Sequence, residues 1–471
     1  MAQRRLASSP RHPWIVLLST LFGLFSVNFT FTIFNVALVR ISRDLHTTQN
    51  ALTWAITGPL LLVGIAAPTL GKIGDLKGHR KLYLIGLCGA FLCAVLTAGA
   101  WNVGSLIAAR LFSGLEGACT VAASWSLLFR VFPPGERTKV MGWWSLVGAG
   151  GPVIGVAIGG PVIQAIGWRW IFVAQAPLIL VALVVNALVL PETDTTLSEK
   201  LDVWGAALLA LTIGSLLFGL NKGTDWGWTS TGVLTALAIC PLALASFVAV
   251  ERRTEAPLLP LDWLGRRNFT VPCLANICVN FAYMGGFFLT PLLLERAFGY
   301  GEGHAGILQI ARPLVFSVVA PVAGYLAVRT GERAAAVSGA AIVVLSMLLF
   351  SSLSRGSGDV LVIAALALSG LGMGICTPSI SASVANAVEI ERMGAASAAL
   401  QLAAQVGQVA GIQIMETVQV SREHSAGLVA SFGGAYLVAG LVAAFGVIAG
   451  SFVRRAARHD TPTLAPEPMI G

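Results

Sequence analysis

Charged side chains are scarce in this chain. They make up 11% of its residues, whereas hydrophobic residues make up 56%, and a soluble domain carries about 25% charged residues. A chain of 471 residues with so little charge has too few polar side chains to cover a surface that faces water. Its mean hydropathy of +0.80 fits a surface that faces lipid. The sequence therefore predicts a polytopic, all-α membrane protein whose unit is a spanning helix of about 20 residues.

Motifs for nucleotide binding, catalysis and metal binding are also missing. The sequence contains no G-x-x-x-x-G-K-S/T, no H-E-x-x-H and no G-x-S-x-G. Its 7 cysteines form neither a C-x-x-C pair nor a Cys/His cluster, which argues against a zinc site or a disulfide framework. We expect no enzymatic activity, no cofactor, no metal and no direct use of ATP.

The positive charge of the chain lies between its apolar runs. The net charge of +8 could indicate nucleic-acid binding, but short segments between apolar runs are where lysine and arginine orient membrane helices. We therefore expect a lipid bilayer, and no nucleic acid, as the partner of this chain. Fourteen runs are long enough to span a bilayer, at 14–39, 51–73, 82–101, 104–130, 139–163, 169–190, 203–221, 232–250, 269–294, 304–327, 334–353, 359–387, 394–418 and 428–453.

The spacing of these runs predicts six helices, then a pair, then six more. Four regions follow, at 1–190, 191–267, 268–455 and 456–471, which are a first bundle, a linker with two extra helices, a second bundle and a tail. With the N-terminus in the cytoplasm, the inner loops hold about three times as many lysines and arginines as the outer loops. This bias predicts that both termini are cytoplasmic. Two six-helix halves around a central site are typical of secondary transporters.

The loop after the second run carries a glycine-rich motif with one acid. Gly71, Asp75, Gly78 and Arg80 resemble the signature G-x-x-x-D-R/K-x-G-x-R/K-R/K of the major facilitator superfamily, with Leu76 in place of the usual basic residue. The resemblance implies the major facilitator fold and alternating access. We expect Asp75 to engage either the N-terminus of a neighbouring helix or an arginine, and so to latch one conformation.

The fifth run resembles the antiporter signature of the same superfamily. Gly142, Gly151, Gly155 and Gly159 follow the spacing G-x8-G-x3-G-P-x2-G, with Val156 in place of the proline. Small residues at such intervals let helices approach closely. Trp168-Arg169-Trp170 and the count of fourteen are similar to the drug:proton antiporter branch. The resemblance implies export of amphipathic molecules from a cell, and the Ala/Val/Gly/Arg-rich composition favours a bacterial cytoplasmic membrane.

Ionisable residues inside the apolar runs are the candidates for proton coupling, because a charge in the bilayer is costly. Thr30 stands where relatives often carry an intramembrane aspartate. Glu116 lies about 16 Å into a core of about 30 Å, and we expect it to carry the proton in place of that aspartate. Arg110 lies about 9 Å nearer the outside and points about 120° away from Glu116 around the helix, so each of the two is expected to have a partner on another helix. Glu416 is a second, weaker candidate.

Polar residues at helical spacing predict the walls of a substrate cavity. The first run carries Asn28, Thr32 and Asn35, and the ninth carries Asn276, Asn280 and Tyr283. A third stripe consists of Gln401, Gln405 and Gln408, and Arg312 lies at mid-depth before Pro313. Phe25, Phe29, Phe281 and Phe287 would add apolar surface. Bonds between helices would explain the same stripes.

The sequence favours a proton-coupled exporter of drugs or hydrophobic metabolites. A lipid or glycolipid exporter with altered coupling remains open, because Thr30 is not acidic. A membrane sensor that transports nothing is a further alternative, and the lack of a sizeable soluble domain counts against it.

Overall fold

Helices make up all regular structure in the part of the chain that the structure describes. This structure is a computed structural model, and it describes residues 12–29, 33–47, 49–191, 201–254 and 257–453. The α-helices of the first half are α1 (His12–Asn28), α2 (Ile33–Asp44), α3 (Gln49–Lys77), α4 (His79–Ala98), α5 (Val103–Val131), α6 (Arg137–Ile166), α7 (Arg169–Val189), α8 (Val203–Trp226) and α9 (Thr231–Glu251). Those of the second half are α10 (Arg267–Leu292), α11 (Glu302–Gln309), α12 (Ala311–Thr330), α13 (Glu332–Ser351), α14 (Asp359–Asn386), α15 (Met393–Ala426) and α16 (Leu428–Ser451).

Eleven of the helical segments in the described ranges are long and apolar enough to cross a membrane, and α1 is a shorter apolar helix. Large apolar side chains on their outer faces are exposed, as a surface in contact with lipid requires. Examples are Leu18, Ile85, Leu188, Leu242, Val322 and Phe445. The prediction of an all-α membrane protein is therefore confirmed, whereas the number of fourteen spans stays a prediction.

Two predicted spans differ from the helices observed. The run 304–327 was expected to form one helix, but the structure shows α11 and α12 with a turn at Ile310. The reason is Pro313, which has no N–H group to donate to the carbonyl of Gln309. The run 14–39 is described as α1 and α2, and residues 30–32 between them lie outside the described ranges.

Three helix pairs make most of the contacts between the first and second parts of the chain. Helix α3 packs along α15, and α6 packs along α12 and α14. Helices α8 and α9 pack on each other, and α8 also lies against α3 and α15. The remaining contacts mostly join α1, α4, α5 and α7 to their neighbours in the first part, and α10, α13 and α16 to theirs in the second.

Glycines bring the backbones of α6 and α12 into contact. A Cβ atom on Gly142 would lie 2.6 Å from the carbonyl oxygen of Ala320. A Cβ atom on Gly324 would lie 2.7 Å from the carbonyl oxygen of Thr138. Neither distance leaves room for a methyl group, so this crossing depends on glycine on both helices. Of the other glycines in the antiporter-like motif, Gly151 lies beside Phe25, and Gly155 is buried.

Replacing Gly142 by alanine should therefore destabilise the protein. We expect Gly142→Ala to cost about 1–3 kcal/mol, because the methyl group must push the α12 backbone away, and to lower the melting temperature of the purified protein. The matched control is Gly148→Ala on the same helix, where the nearest atom to a new Cβ is 3.8 Å away. Equal melting temperatures for the two variants would contradict the crossing described.

Candidate functional site

A cavity of about 420 Å³ lies among helices from both parts of the chain. Its wall is formed by α1, α3, α4, α5, α6 and α7 on one side and by α10, α12, α14 and α15 on the other. No residue of α8 or α9 whose side chain the structure describes lines the cavity. A cavity of this size, with mostly apolar walls and a few polar groups, fits an organic molecule.

Most of the polar residues predicted for a site lie on this wall. They are Asn28, Arg110, Glu116, Asn276, Asn280, Tyr283 and Gln405. Glu416 is half-buried on α15 and does not line the cavity. Thr32 lies outside the described residues, and Asn35 lies on α2, where its side chain is not described. The roles given to these residues stay predictions.

Glu116 is a buried carboxylate that faces the cavity. Its residue is 8% exposed, and its Oε2 atom has no hydrogen-bond partner in the described part of the chain. Helix α4 passes close beside it, because a Cβ on Gly89 would lie 3.0 Å from the Cβ of Glu116. Glu116 is thus neither exposed to lipid nor held far from the cavity.

Arg110 is anchored on the backbone of another helix. Its Nε atom donates a hydrogen bond of 3.2 Å to the carbonyl oxygen of Ala55 on α3. Arg110 and Glu116 point in different directions from α5, because they are six residues apart on the helix. The partner expected for Arg110 on another helix is therefore present, and it is the backbone of α3.

Arg312 lies behind the cavity wall rather than on it. The residue is fully buried, and its Nη1 atom donates to the carbonyl oxygen of Tyr283 at 3.2 Å. The guanidinium carbon also lies 5.6 Å from the centre of the Tyr283 ring and 5.4 Å from that of Phe350. Pro313 does line the cavity, and successive residues on a helix point about 100° apart. That rotation turns Arg312 away from the cavity.

Amide side chains form a ladder along α10 and α15. The Nδ2 atom of Asn276 donates to the carbonyl oxygen of Leu400 at 3.0 Å. Asn280 Nδ2 donates to Asn276 Oδ1 at 2.8 Å, and Gln408 Nε2 donates to Asn280 Oδ1 at 3.2 Å. Gln405 bonds separately to α3, with Nε2 at 3.3 Å from the carbonyl oxygen of Leu60. The polar stripes therefore both join helices and line the cavity.

Sequence reasoning missed most of the aromatic wall. Of the four phenylalanines predicted for it, Phe287 lines the cavity, whereas Phe25 and Phe29 stack on each other at 5.7 Å, and Phe281 packs with its backbone against Gly411. The aromatic residues that do line it are Trp125, Trp144, Phe172, Tyr283, Phe287, Phe288 and Phe316. Since they lie in runs that are apolar on every face, the sequence has no periodic signal that would single them out.

Asp75 caps the N-terminus of α15. Its Oδ1 and Oδ2 atoms accept hydrogen bonds of 2.9 Å from the N–H groups of Gly394 and Ala395. His79 Nε2 lies 2.8 Å from Oδ1 as well. The first backbone N–H groups of a helix have no partner within it, so a carboxylate there satisfies them and complements the helix dipole. Of the two contacts expected for Asp75, the structure shows the one with a helix N-terminus.

The other motif residues shape the turn around Asp75. Gly71 lies against the backbone of Gly394, and no side chain fits between them. Gly78 joins α3 to α4 with a φ of 97°, a conformation that favours glycine. Arg80 donates to the carbonyl oxygen of Ala187 at 2.7 Å and ties the start of α4 to the end of α7.

A second contact joins the two parts of the chain near this cap. Arg137 Nη1, at the start of α6, donates at 3.0 Å to the carbonyl oxygen of Ala385 and to Oδ1 of Asn386, at the end of α14. Asn386 in turn donates to Glu332 at 3.0 Å. Both contacts use helix ends for which the distribution of lysine and arginine predicts a cytoplasmic location.

Comparison with protein families identifies this architecture. The family model described as Major Facilitator Superfamily matches residues 20–412 and also residues 273–469. The chain belongs to the major facilitator superfamily. It is a multi-pass membrane transporter rather than an enzyme.

Relatives with named functions share most of the chain. The tetracenomycin C resistance and export protein of Streptomyces glaucescens is 29% identical over 411 residues, which cover 87% of this chain and 76% of that protein. The multidrug resistance protein Stp of Mycobacterium tuberculosis is 27% identical over 406 residues, with 86% and 75% covered. The human organic anion transporter MFSD10 superposes with a TM-score of 0.68 at 15% identity, over 94% of this chain and 100% of that one. That likeness shows the shared fold.

Removing the carboxylate of Asp75 should release the first turn of α15. We expect Asp75→Ala to speed hydrogen exchange at the amides of residues 394 and 395 by about 2- to 30-fold, as the loss of about 0.5–2 kcal/mol of capping implies. Hydrogen exchange followed by mass spectrometry measures this change. Asp262→Ala, which removes an exposed partner of Arg266, is the control. Unchanged exchange in Asp75→Ala would show that the cap contributes nothing to that turn.

Proposed function

We propose that the protein exports amphipathic drugs or hydrophobic metabolites across a bacterial cytoplasmic membrane in exchange for protons. The observation that carries this proposal is the central cavity, where a buried carboxylate without a hydrogen bond at Oε2, that of Glu116, faces mostly apolar walls. A carboxyl group in such a place can alternate between a protonated form and a form that attracts cargo. The names of the relatives, which refer to resistance and export, support the outward direction.

In an alternating-access cycle, the contacts between the two parts of the chain would close the cavity on one side of the membrane. We assign the rocking bundles to 1–190 and 268–455, the two extra helices of a fourteen-helix protein to the linker 191–267, and the tail to 456–471, with both termini in the cytoplasm. The Asp75 cap and the Arg137 contacts then hold the bundles together at the cytoplasmic side. Opening the cavity to the cytoplasm requires both contacts to break, and closing it restores them.

Proton exchange can be tested with purified protein in liposomes. We expect a fluorescent amphipathic dye to accumulate in vesicles with an acidic lumen, and a pH indicator inside to report a rise in pH when the dye enters. Because the pH gradient is the energy source, a protonophore should abolish the accumulation. Vesicles without protein are the control. Dye movement that ignores the gradient would overturn proton antiport and leave facilitated export.

Glu116→Gln should separate coupling from cargo movement. The amide has nearly the shape of the carboxyl group but cannot bind and release a proton, so we expect loss of pH-driven accumulation while dye exchange down its own gradient continues. The melting temperature should stay close to that of the unmodified protein. The matched control is Glu136→Gln, because Glu136 pairs with Lys139 just before α6 begins and does not line the cavity. Full coupling in Glu116→Gln would remove Glu116 as the proton carrier.

A further inference from the structure

Backbone carbonyl groups fix the orientation of the amide ladder. The carbonyl oxygen of Leu400 can only accept a hydrogen bond, so the atom of Asn276 that faces it must be the NH₂ group. The Oδ1 atom of Asn276 must then face Asn280, whose NH₂ group also bonds to the backbone oxygen of Asn276 at 2.9 Å. Gln408 completes the ladder by donating to Asn280 Oδ1. Each amide orients the next, and the ladder ends at Gln408, which lines the cavity.

A backbone carbonyl group also fixes the orientation of the Gln405 amide, which does not belong to the ladder. Its NH₂ group must face the carbonyl oxygen of Leu60, because that oxygen has no hydrogen to donate. The residue is 3% exposed, it lines the cavity, and its Oε1 atom has no hydrogen-bond partner in the described part of the chain. A buried carbonyl oxygen without a donor costs about 1–3 kcal/mol, so a ligand that donates a hydrogen bond to this atom would remove that cost.

The unsatisfied atoms of the cavity wall share one chemical property. Among the described lining residues, the buried side-chain atoms without a hydrogen-bond partner are Glu116 Oε2, Gln405 Oε1, Ser145 Oγ and Thr377 Oγ1. The first two are acceptors when Glu116 is ionised, and the two hydroxyl groups can accept as well as donate. No N–H group appears in this set. A ligand that donates hydrogen bonds could therefore satisfy every atom in this set, whereas a ligand that only accepts them could not satisfy Gln405 Oε1.

We propose that the cavity selects aromatic cargo that donates hydrogen bonds, such as molecules with several amino or phenolic groups, over cargo that can only accept them. This inference rests on the proposed export function and names the substrate class of the same site. The donors would bond to Gln405 Oε1 and to ionised Glu116, and the aromatic rings would pack against Trp125, Trp144 and Phe316.

Selection for cargo that donates hydrogen bonds is strong, because cargo without donors leaves buried acceptors of the protein unpaired. Sites built to bond a donor reject analogues that lack it. The proposal also explains exchange at Glu116. A proton on the carboxyl group removes the charge that attracts a donor, so protonation and binding of such cargo compete for one group.

Two rhodamine dyes test the proposal. Rhodamine methyl ester with free amino groups and its tetramethyl analogue share one scaffold and one positive charge, but only the first carries N–H groups. We expect the dye with amino groups to bind the purified protein in nanodiscs about tenfold more tightly, the effect of one charge-assisted hydrogen bond. The added methyl groups make the analogue more hydrophobic, so apolar burial alone predicts the opposite order. Fluorescence polarisation measures both affinities.

The variant Gln405→Leu tests whether Gln405 Oε1 is the acceptor that causes the preference for the dye with amino groups. Gln405→Leu should reduce the ratio of the two affinities severalfold, chiefly by weakening the dye with amino groups. The matched control is Gln419→Leu on the same helix, because the amide of Gln419 bonds to Glu423 and Ser431 and does not line the cavity. That variant should keep the ratio of the unmodified protein.

The outcomes separate the substrate class from the export function. Equal affinities, or tighter binding of the methylated dye, would overturn the proposed selection for cargo that donates hydrogen bonds. In that case, pH-driven accumulation of either dye in proteoliposomes would still support export. A preference that survives in Gln405→Leu would remove Gln405 from the recognition of the donor. Failure to bind or accumulate either dye would overturn both the substrate class and the proposed export of aromatic amphipathic cargo.

Discussion

A polar group inside a bilayer must find its partner within the protein, and this constraint explains the hydrogen bonds that join the helices around the cavity. Arg110, Arg312 and Gln405 all use backbone carbonyl oxygens, on Ala55, Tyr283 and Leu60 respectively. These oxygens already belong to helices, so a side chain that bonds to one ties two helices together without a second polar side chain. The chain can therefore keep 11% charged residues and still fix its helix packing.

The polar residues that line the cavity differ in whether their side-chain oxygens are satisfied. Asn276 and Asn280 satisfy one another and Leu400, and they hold α10 to α15 whether or not cargo is present. Glu116 and Gln405 each retain a buried oxygen without a bond. An unsatisfied buried atom is costly, and it is tolerated most readily where a proton or a ligand arrives during the working cycle.

The family, the membrane class and most helix positions could be predicted from the sequence, because apolar runs and glycine-rich motifs are local signals. The contact of Asp75 with a helix N-terminus was one of two alternatives, and only the packing of α3 on α15 decides between them. The sequence does not reveal which face of a wholly apolar helix meets the cavity. Trp125 and Trp144 were missed for that reason, and Arg312 was expected on a wall that Pro313 occupies instead. The break at Ile310 depends on how Pro313 is accommodated, which is a property of the packed helices.

The crossing of α6 and α12 has a consequence for motion. Backbone lies directly on backbone at Gly142 and Gly324, so two helices from opposite halves can tilt about this point without changing the rotamer of any side chain between them. Side chains that interdigitate between two helices would instead allow the helices only a few discrete relative positions. A contact between two backbones has no such side chains, so any tilt of α6 against α12 would pivot at Gly142 and Gly324.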